Sequence, residues 1–268
     1  MMLALLCYVF AVASALNYLE DPNKISSRII NGAEATPGEF PHQVTLLRNG
    51  YHMCGGSVIS NEWILTAAHC VEGQTASNLA IVANLHSFSN PGSSYHYFYI
   101  SQIIMHPQYG VGSGAYPNDI ALIRLNKVST PVDISAMAIP IAKDLNDKFA
   151  NAQCVISGWG VTESGSGSNV LLKADVRAYP HTECRTAWGT NNIVESAHLC
   201  VKGESTAAGS GSCNGDSGGP LVCKNVLAGV TSWGRSGCHV GGTVTHPSVY
   251  ARVSTYASWI ATTCGGCV

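Results

Sequence analysis

Hydrophobic residues in this chain recur in short runs that alternate with polar positions and are bounded by Gly, Asn, Pro and Ser. β-Branched and aromatic residues are frequent in these runs, as is typical of β-strands. Many short strands at close intervals predict an all-β barrel or sandwich. The strands are predicted at residues 43–47, 56–60, 63–67, 79–83, 97–104, 120–125, 154–158, 172–178, 199–202, 220–223, 227–232 and 249–253.

A helical pattern is found only near the end of the chain. Residues 254–263 place Tyr256, Trp259 and Ile260 on one side, and Ser254 stands where an N-cap is expected. This pattern predicts a C-terminal helix.

The first residues of the chain resemble a secretory signal peptide. The apolar run over 3–12 is shorter than the roughly 20 residues that a membrane span needs, and Ala13-Ser14-Ala15 forms a small-x-small cleavage signal. The usual basic residue at the start is missing, and an uncleaved anchor is the alternative. We interpret residues 1–15 as a signal peptide and expect a secreted, extracellular protein with no membrane partner.

The amino-acid composition restricts the partners and cofactors that the protein can have. Charged residues make up 11% of the chain, the net charge is −2 and no basic cluster occurs, which argues against nucleic acid as a partner. Removal of Cys7 with the signal peptide leaves ten of eleven cysteines, an even number that suggests disulfides in an oxidising compartment. Zinc-finger spacings are absent, and residues 73–118 contain no Asp or Glu for a calcium loop. We therefore expect no metal and no cofactor.

Three segments carry residues suited to nucleophilic catalysis. They are LTAAHC with His69, NDIAL with Asp119, and GSCNGDSGGP with Ser217. A serine hydroxyl needs a base to take its proton, an imidazole can do so near neutral pH, and a buried carboxylate fixes the tautomer of that imidazole. Taken singly, the His could be a core residue and the Asp a turn residue, but a Ser crowded by glycines has no packing role.

The segments resemble those of the chymotrypsin/trypsin family of serine proteases. IINGAEA at 29–35, TAAHC, NDIAL, GWG at 158–160, GDSGGP and SWG at 232–234 match its motifs, and the order His, Asp, Ser is the order of this family. The resemblance extends from residue 29 to the end of the chain. It implies a fold of two six-stranded antiparallel β-barrels with the site between them and a C-terminal helix.

The resemblance also implies the roles of individual residues. His69 would be the general base, Asp119 its orienting carboxylate and Ser217 the nucleophile of a serine endopeptidase, with the N–H groups of Gly215 and Ser217 as the oxyanion hole. A non-catalytic binding homologue is the alternative, but such proteins usually lack a triad residue or an oxyanion glycine, and all are present here.

Family disulfides map onto eight of the cysteines. The implied pairs are Cys54–Cys70, Cys154–Cys223, Cys184–Cys200 and Cys213–Cys238. Cys264 and Cys267 lie outside the common pattern. We expect a local disulfide between them, eased by the two glycines that separate them, with free thiols or an intermolecular bond as the alternatives.

The implied substrate pocket has no charge at its base. By resemblance its lining residues are Gly211, Ser212, Asn214, Ser232, Trp233, Gly234 and Ser248. Trypsin-like enzymes carry an Asp at the position of Gly211, and without it a buried substrate cation would stay unpaired. Gly234 leaves the pocket open, whereas elastases often have a bulky residue there. We expect cleavage after large apolar residues, with an elastase-like preference for small aliphatic residues as the alternative.

The junction after Arg28 resembles the activation site of the family. It predicts a propeptide over 16–28 and a protease domain over 29–268, with the new amino group of Ile29 pairing with Asp216. Cleavage after Arg would need a trypsin-like partner protease. Protein or peptide substrates and protein inhibitors are the other expected partners, and we expect a monomer.

Overall fold

The chain folds around two β-barrels, as a computed structural model shows for residues 32–162, 164–203, 211–235 and 246–268. The predicted signal peptide, propeptide, Arg28, Ile29 and Cys238 lie outside these described residues. Within them, the prediction of an all-β protein with two six-stranded barrels is confirmed.

The first barrel closes in the strand order β2-β3-β4-β7-β6-β5, and every pairing is antiparallel. Its interior is filled by apolar side chains with no exposed surface, such as Leu46, Ile64 and Ile81. The strands are β2 (Gln43–Arg48), β3 (Tyr51–Val58), β4 (Trp63–Thr66), β5 (Leu79–Ala83), β6 (His96–Met105) and β7 (Ala121–Leu125).

The second barrel uses the remaining long strands in the order β9-β10-β13-β12-β11-β8, closed by the pairing of β8 with β9. A two-residue strand β1 (Ala33–Glu34) joins β9 from the start of the described chain. The strands are β8 (Gln153–Gly158), β9 (Leu172–Ala178), β10 (His198–Gly203), β11 (Pro220–Cys223), β12 (Val226–Trp233) and β13 (Ser248–Arg252).

Two α-helices accompany the barrels in the described part of the chain, α1 (His181–Trp188) and α2 (Val253–Thr263). The C-terminal helix is confirmed, but the expectation that the tail alone is helical is wrong, since α1 lies in the second half of the chain. The predicted N-cap at Ser254 is also wrong, because the helix begins at Val253, its cap position is Arg252, and Ser254 is 3% exposed.

Disulfides tie neighbouring segments together. The structure contains Cys54–Cys70, Cys154–Cys223 and Cys184–Cys200, the pairs that the resemblance implies. Cys213 is disulfide-bonded, and its expected partner Cys238 lies outside the described residues. Cys264 and Cys267 form a local disulfide three residues apart at the end of α2, so the intermolecular and free-thiol alternatives do not hold in this structure.

No helix among the described residues is both long and apolar enough to cross a membrane.

Candidate active site

His69 follows β4, the third strand of the first barrel. β4 ends at Thr66, and a short 3₁₀ turn, Ala68–Cys70, carries the histidine. The disulfide from Cys70 to Cys54 fixes this turn to β3. The imidazole is thus held at the rim of the barrel, with its side chain 24% exposed.

Asp119 is buried beside that imidazole. Its Oδ1 accepts the backbone N–H of His69 at 2.9 Å and its Oδ2 accepts the Nδ1–H of the ring at 2.8 Å. The hydroxyl of Ser232 on β12 also donates to Oδ2. Since a carboxylate accepts hydrogen bonds only, the ring proton of neutral His69 is fixed on Nδ1, and Nε2 is left as the basic nitrogen.

Asn118, which precedes Asp119 in the NDIAL motif, determines the conformation of the loop before it. Asn118 has a φ of 56°, in the left-handed region that asparagine tolerates. Its side-chain amide donates to the carbonyls of Gln108 and Val111, both at 2.9 Å. These two hydrogen bonds from Asn118 close the 108–118 loop, and Asp119 directly follows this loop.

Ser217 belongs to the second barrel but is packed against the first. Its carbonyl accepts the N–H of Gly55 on β3 at 2.7 Å. The next residue, Gly218, has a φ of 77°, and a Cβ there would lie 2.2 Å from Oγ1 of Thr66. Only glycine allows this close approach, which brings Ser217 to the strand that leads into His69.

Gly215 precedes Ser217 in a turn fixed on both sides. Its φ is 94°, and the N–H of Val161 donates to the carbonyl of Asn214 at 2.6 Å. The N–H of Gly215 points away from Val161, because the C=O and N–H of a trans peptide point in opposite directions. The carbonyl of Gly215 accepts Nε2–H of His52 at 3.0 Å.

The half-buried His52 that supports this turn was not found from the sequence. Its Nδ1 accepts the hydroxyl of Thr45 at 2.7 Å. Burial lowers the pKa of His52 to about 4, so the ring is neutral at pH 7 and donates from Nε2 alone. No motif marks this contact, because it joins residues from two barrels.

Asp216 is buried, with its carboxyl group beside the backbone of residues 158–160. Its two oxygens accept the N–H groups of Gly160 and Cys213, each at 2.9 Å. A Cβ on Gly158 or Gly160 would lie 2.2 or 2.5 Å from the carboxyl group, which explains why the GWG motif needs both glycines. Burial raises the pKa of the Asp216 carboxyl to about 7.

Comparison with known proteins identifies this arrangement. The family model described as Trypsin matches residues 29–260, most of the chain. The chain belongs to the trypsin family of serine proteases. It is a serine endopeptidase.

Several named proteins are similar to this protease. It is similar to a fibrinolytic enzyme, isozyme C, of Lumbricus rubellus, with 37% identity over 87% of this chain and 98% of the relative. It is similar to a chymotrypsin-like serine proteinase of Haliotis rufescens, with 34% identity over 96% and 97%. Among solved structures it resembles neuropsin, a serine protease of mouse brain, with a TM-score of 0.74 and 30% identity over 88% of this chain and 100% of that one.

Two of the expected pocket residues of the protease lie close together, and a third, Ser232, contacts Asp119 of the site. A Cβ on Gly211 would lie 3.1 Å from Oγ of Ser248, so these residues face each other. A Cβ on Gly234 would meet nothing within 4 Å, which leaves that wall open among the described residues. Ser232 is buried and Trp233 half-buried at the end of β12, while Ser212 is half-buried and Asn214 exposed. Residues 204–210 and 236–245, on either side of these segments, lie outside the described residues.

An aromatic cluster beside His69 was largely missed by the sequence analysis. The ring centroid of Tyr116 lies 6.4 Å from those of both His69 and Trp233, and it stacks on Trp233 at 26°. Trp233 also meets Trp188 at 4.8 Å and His198 at 6.0 Å. Tyr116 directly follows a Gly-rich loop and is 53% exposed, and only the folded chain reveals its place.

One group of metal-ligand residue types lies at the site, namely Cys54, His69 and Cys70. Both sulfurs are joined in a disulfide and are not available as thiolates. This group therefore does not fit a metal ion.

Proposed function

We propose that this protease hydrolyses peptide bonds through an acyl-enzyme, with Ser217 as nucleophile. Nε2 of His69 would take the hydroxyl proton as Oγ attacks the substrate carbonyl, and would then give that proton to the leaving amine. A water molecule, deprotonated by His69 in the same way, would then attack the acyl-enzyme, and the carboxylic acid product would be released. The observation that carries the proposal is the fixing of the His69 ring by Asp119 at 2.8 Å.

The tetrahedral intermediate of this reaction would place its oxyanion at the N–H groups of Gly215 and Ser217. The turn around Gly215 supports this proposal. The carbonyl of Asn214 accepts the N–H of Val161, and the carbonyl of Gly215 accepts Nε2–H of His52. Donors that are fixed before the reaction need no reorganisation, and loss of one such donor typically costs about 2.7–4 kcal/mol.

The pocket favours large apolar residues at the cleaved position. Gly211 leaves its base without a side chain or charge, and the hydroxyl of Ser248 lies opposite. Burial of an unpaired Lys or Arg there would cost several kcal/mol. Leu, Met, Phe or Tyr would instead gain from burial of apolar surface.

A positional-scanning peptide library on the activated protein tests this preference. We expect kcat/KM for Phe, Tyr, Leu or Met at the cleaved position to exceed that for Arg or Lys by at least about 100-fold. The matched variant Gly211→Asp should shift the preference toward Arg and Lys. A wild-type preference for Arg would contradict the pocket argument, and a preference for Ala or Val would favour the elastase-like alternative.

The protein would be made as a secreted precursor and act as a monomer on protein substrates. The hydrophobic start of the chain and the disulfides support secretion, since disulfides persist in oxidising compartments. The buried Asp216 carboxylate supports activation, because the ammonium of Ile29, freed by cleavage after Arg28 by a trypsin-like partner, would neutralise it. Protein inhibitors would then be its natural regulators.

A further inference from the structure

Leu145 lies on the surface of the segment that connects the two barrels. Residues 142–152, which lead into β8, belong to no helix or strand. Leu145 is 60% exposed, more than any other Leu, Met, Phe or Tyr that the structure describes. These four residue types are the ones that the uncharged pocket is proposed to accept. The protein therefore displays a side chain of its own substrate class in an irregular loop.

The other exposed residues of these types are protected by their surroundings. Tyr116 precedes Pro117, and a proline, with its ring and without an N–H, makes the bond before it a poor protease substrate. Three more lie in strands β3 and β6, whose ladders would have to break before a protease could bind them, namely Tyr51, Tyr99 and Met105. None of the four types occurs in the undescribed parts of the protease domain, residues 29–31, 163, 204–210 and 236–245. Leu145 is therefore the exposed point of cleavage.

Two hydrogen bonds hold the peptide bond that follows Leu145. Its carbonyl oxygen accepts Nη2–H of Arg252 at 2.7 Å, and its N–H, that of Asn146, donates to Oδ1 of Asp144 at 2.8 Å. A protease cleft has to bind these same backbone groups, so the segment must open locally before it can be cut. The two hydrogen bonds thus make the cut slow, but they do not prevent it.

A cut at this bond would leave no covalent link between the barrels. Of the eleven cysteines, Cys7, Cys54 and Cys70 precede Leu145, and all the others follow it. Cys54 and Cys70 are bonded to each other, and Cys7 belongs to the predicted signal peptide. In the processed protein, no cysteine before Leu145 remains to pair with one after it.

Each of the two pieces would carry one barrel and part of the site. Strands β1 to β7 with His69 and Asp119 precede the bond, whereas β8 to β13 with both α-helices and Ser217 follow it. The pairing of β1 with β9 and the hydrogen bond from Gly55 N–H to the Ser217 carbonyl would still join the pieces. Because these contacts are not covalent, the assembled site would depend on protein concentration.

We propose that a second copy of this protein is a substrate of the activated protease, and that the cut between Leu145 and Asn146 limits the lifetime of the enzyme. The inference rests on the proposed function. Oγ of Ser217 in one copy forms an ester with the Leu145 carbonyl carbon of the other, the C–N bond breaks, and His69 gives the hydroxyl proton to the new amine of Asn146. A water molecule, deprotonated by His69, then hydrolyses the ester and releases the Leu145 carboxylate.

The test uses Ser217→Ala protein as substrate, because it cannot digest itself, and a small amount of activated wild-type protein as protease. The first new N-terminus found by mass spectrometry should be Asn146. In the Ser217→Ala background, Leu145→Phe should be cut at a similar rate, whereas Leu145→Asp should slow this cut at least about tenfold, because the uncharged pocket leaves a buried carboxylate unpaired. Tyr99→Ser, at an exposed position within β6, is the matched control and should be cut as fast as its parent.

A second pair of variants tests the local opening. Asp144→Ala removes the acceptor of the Asn146 N–H and should speed the cut about fivefold, whereas Asp144→Asn keeps an acceptor oxygen and should change the rate little. Wild-type protein that has been cut at Leu145 should lose activity on dilution, and uncut Leu145→Asp protein should keep it.

A first cut at another bond, equal cutting of Leu145→Asp, or full activity of the cut protein at every dilution would overturn the proposal. A wild-type protein that cleaves Leu peptides but leaves Leu145 intact would overturn this inference alone. A protein that cleaves no Leu peptide would contradict the proposed function as well.

Discussion

At the scale of single residues, Asp216 links pH to the stability of the precursor. Burial raises the pKa of its carboxyl to about 7, whereas an unfolded chain has a value near 3.9. Between about pH 4 and pH 7 the folded precursor therefore holds a proton that the unfolded chain has lost, and its stability falls as the pH rises through this window. Pairing with the ammonium group of Ile29 would lower the pKa of the Asp216 carboxyl in the folded protein, and this loss of stability would then disappear.

Thermal unfolding of precursors at pH 4.5 and pH 7 measures the effect. Asp216→Asn cannot ionise, so its Tm relative to wild type should be higher at pH 7 than at pH 4.5. Any constant cost of placing an amide beside the N–H groups of Gly160 and Cys213 cancels in this comparison. Asp175→Asn, at an exposed position of β9, is the matched control and should show no such difference. The same Tm difference at both pH values for Asp216→Asn would contradict the argument.

At the scale of elements, the strands could be predicted from the sequence because most are short, largely buried runs of apolar and β-branched residues bounded by turn residues. All twelve predicted strands are present, three with the same bounds and most of the others with ends shifted by one residue. Helix α1 could not be predicted, since its sequence HTECRTAW is polar and buries only Cys184, whose disulfide to Cys200 fixes it to β10. The C-terminal helix α2 was predicted correctly, but its N-cap was not, because Ser254 is buried within the first turn of the helix.

The disulfides should contribute to stability according to the chain that they enclose. Cys154–Cys223 joins β8 to β11 over 69 residues, whereas Cys264–Cys267 spans three. Loss of loop entropy in the unfolded chain gives about 4.4 kcal/mol for the first and about 1.6 kcal/mol for the second. Urea unfolding of the two double-serine variants, followed by Trp fluorescence, should show this order, and peptide cleavage should persist in Cys264→Ser/Cys267→Ser. A larger loss for the C-terminal pair would mean that its ring anchors α2 to the core.

At the scale of the whole molecule, the site is assembled from both barrels, and this limits what the sequence could predict. The motif of His69 was visible because a disulfide cysteine follows it, that of Ser217 because glycines surround it, and that of Asp119 through its match to NDIAL. The supports His52 and Tyr116 were not, because each acts through contacts between segments that are far apart in the chain.

The same assembly predicts that the precursor cannot efficiently activate itself. The junction requires cleavage after Arg28, while the uncharged pocket base at Gly211 disfavours Arg. Purified precursor should stay inactive for hours and gain activity on addition of trace trypsin, with Ile29 as its new N-terminus. Activity should then fall at alkaline pH as the Ile29 amine, with an ordinary pKa of about 7.7–8.0 raised by pairing, loses its proton. Rapid self-activation that depends on precursor concentration would contradict either the pocket or the junction.

The central claim, that Ser217 is a nucleophile activated by His69, is tested most directly by covalent labelling. The trypsin-activated protein is treated with a serine-directed sulfonyl fluoride, and the modified peptide is mapped by mass spectrometry. We predict one adduct, on Oγ of Ser217, formed in proportion to the loss of activity, and its near absence in His69→Ala and Ser217→Ala. Stoichiometric inactivation with the adduct on another residue, or undiminished labelling of Ser217 in His69→Ala, would contradict the account.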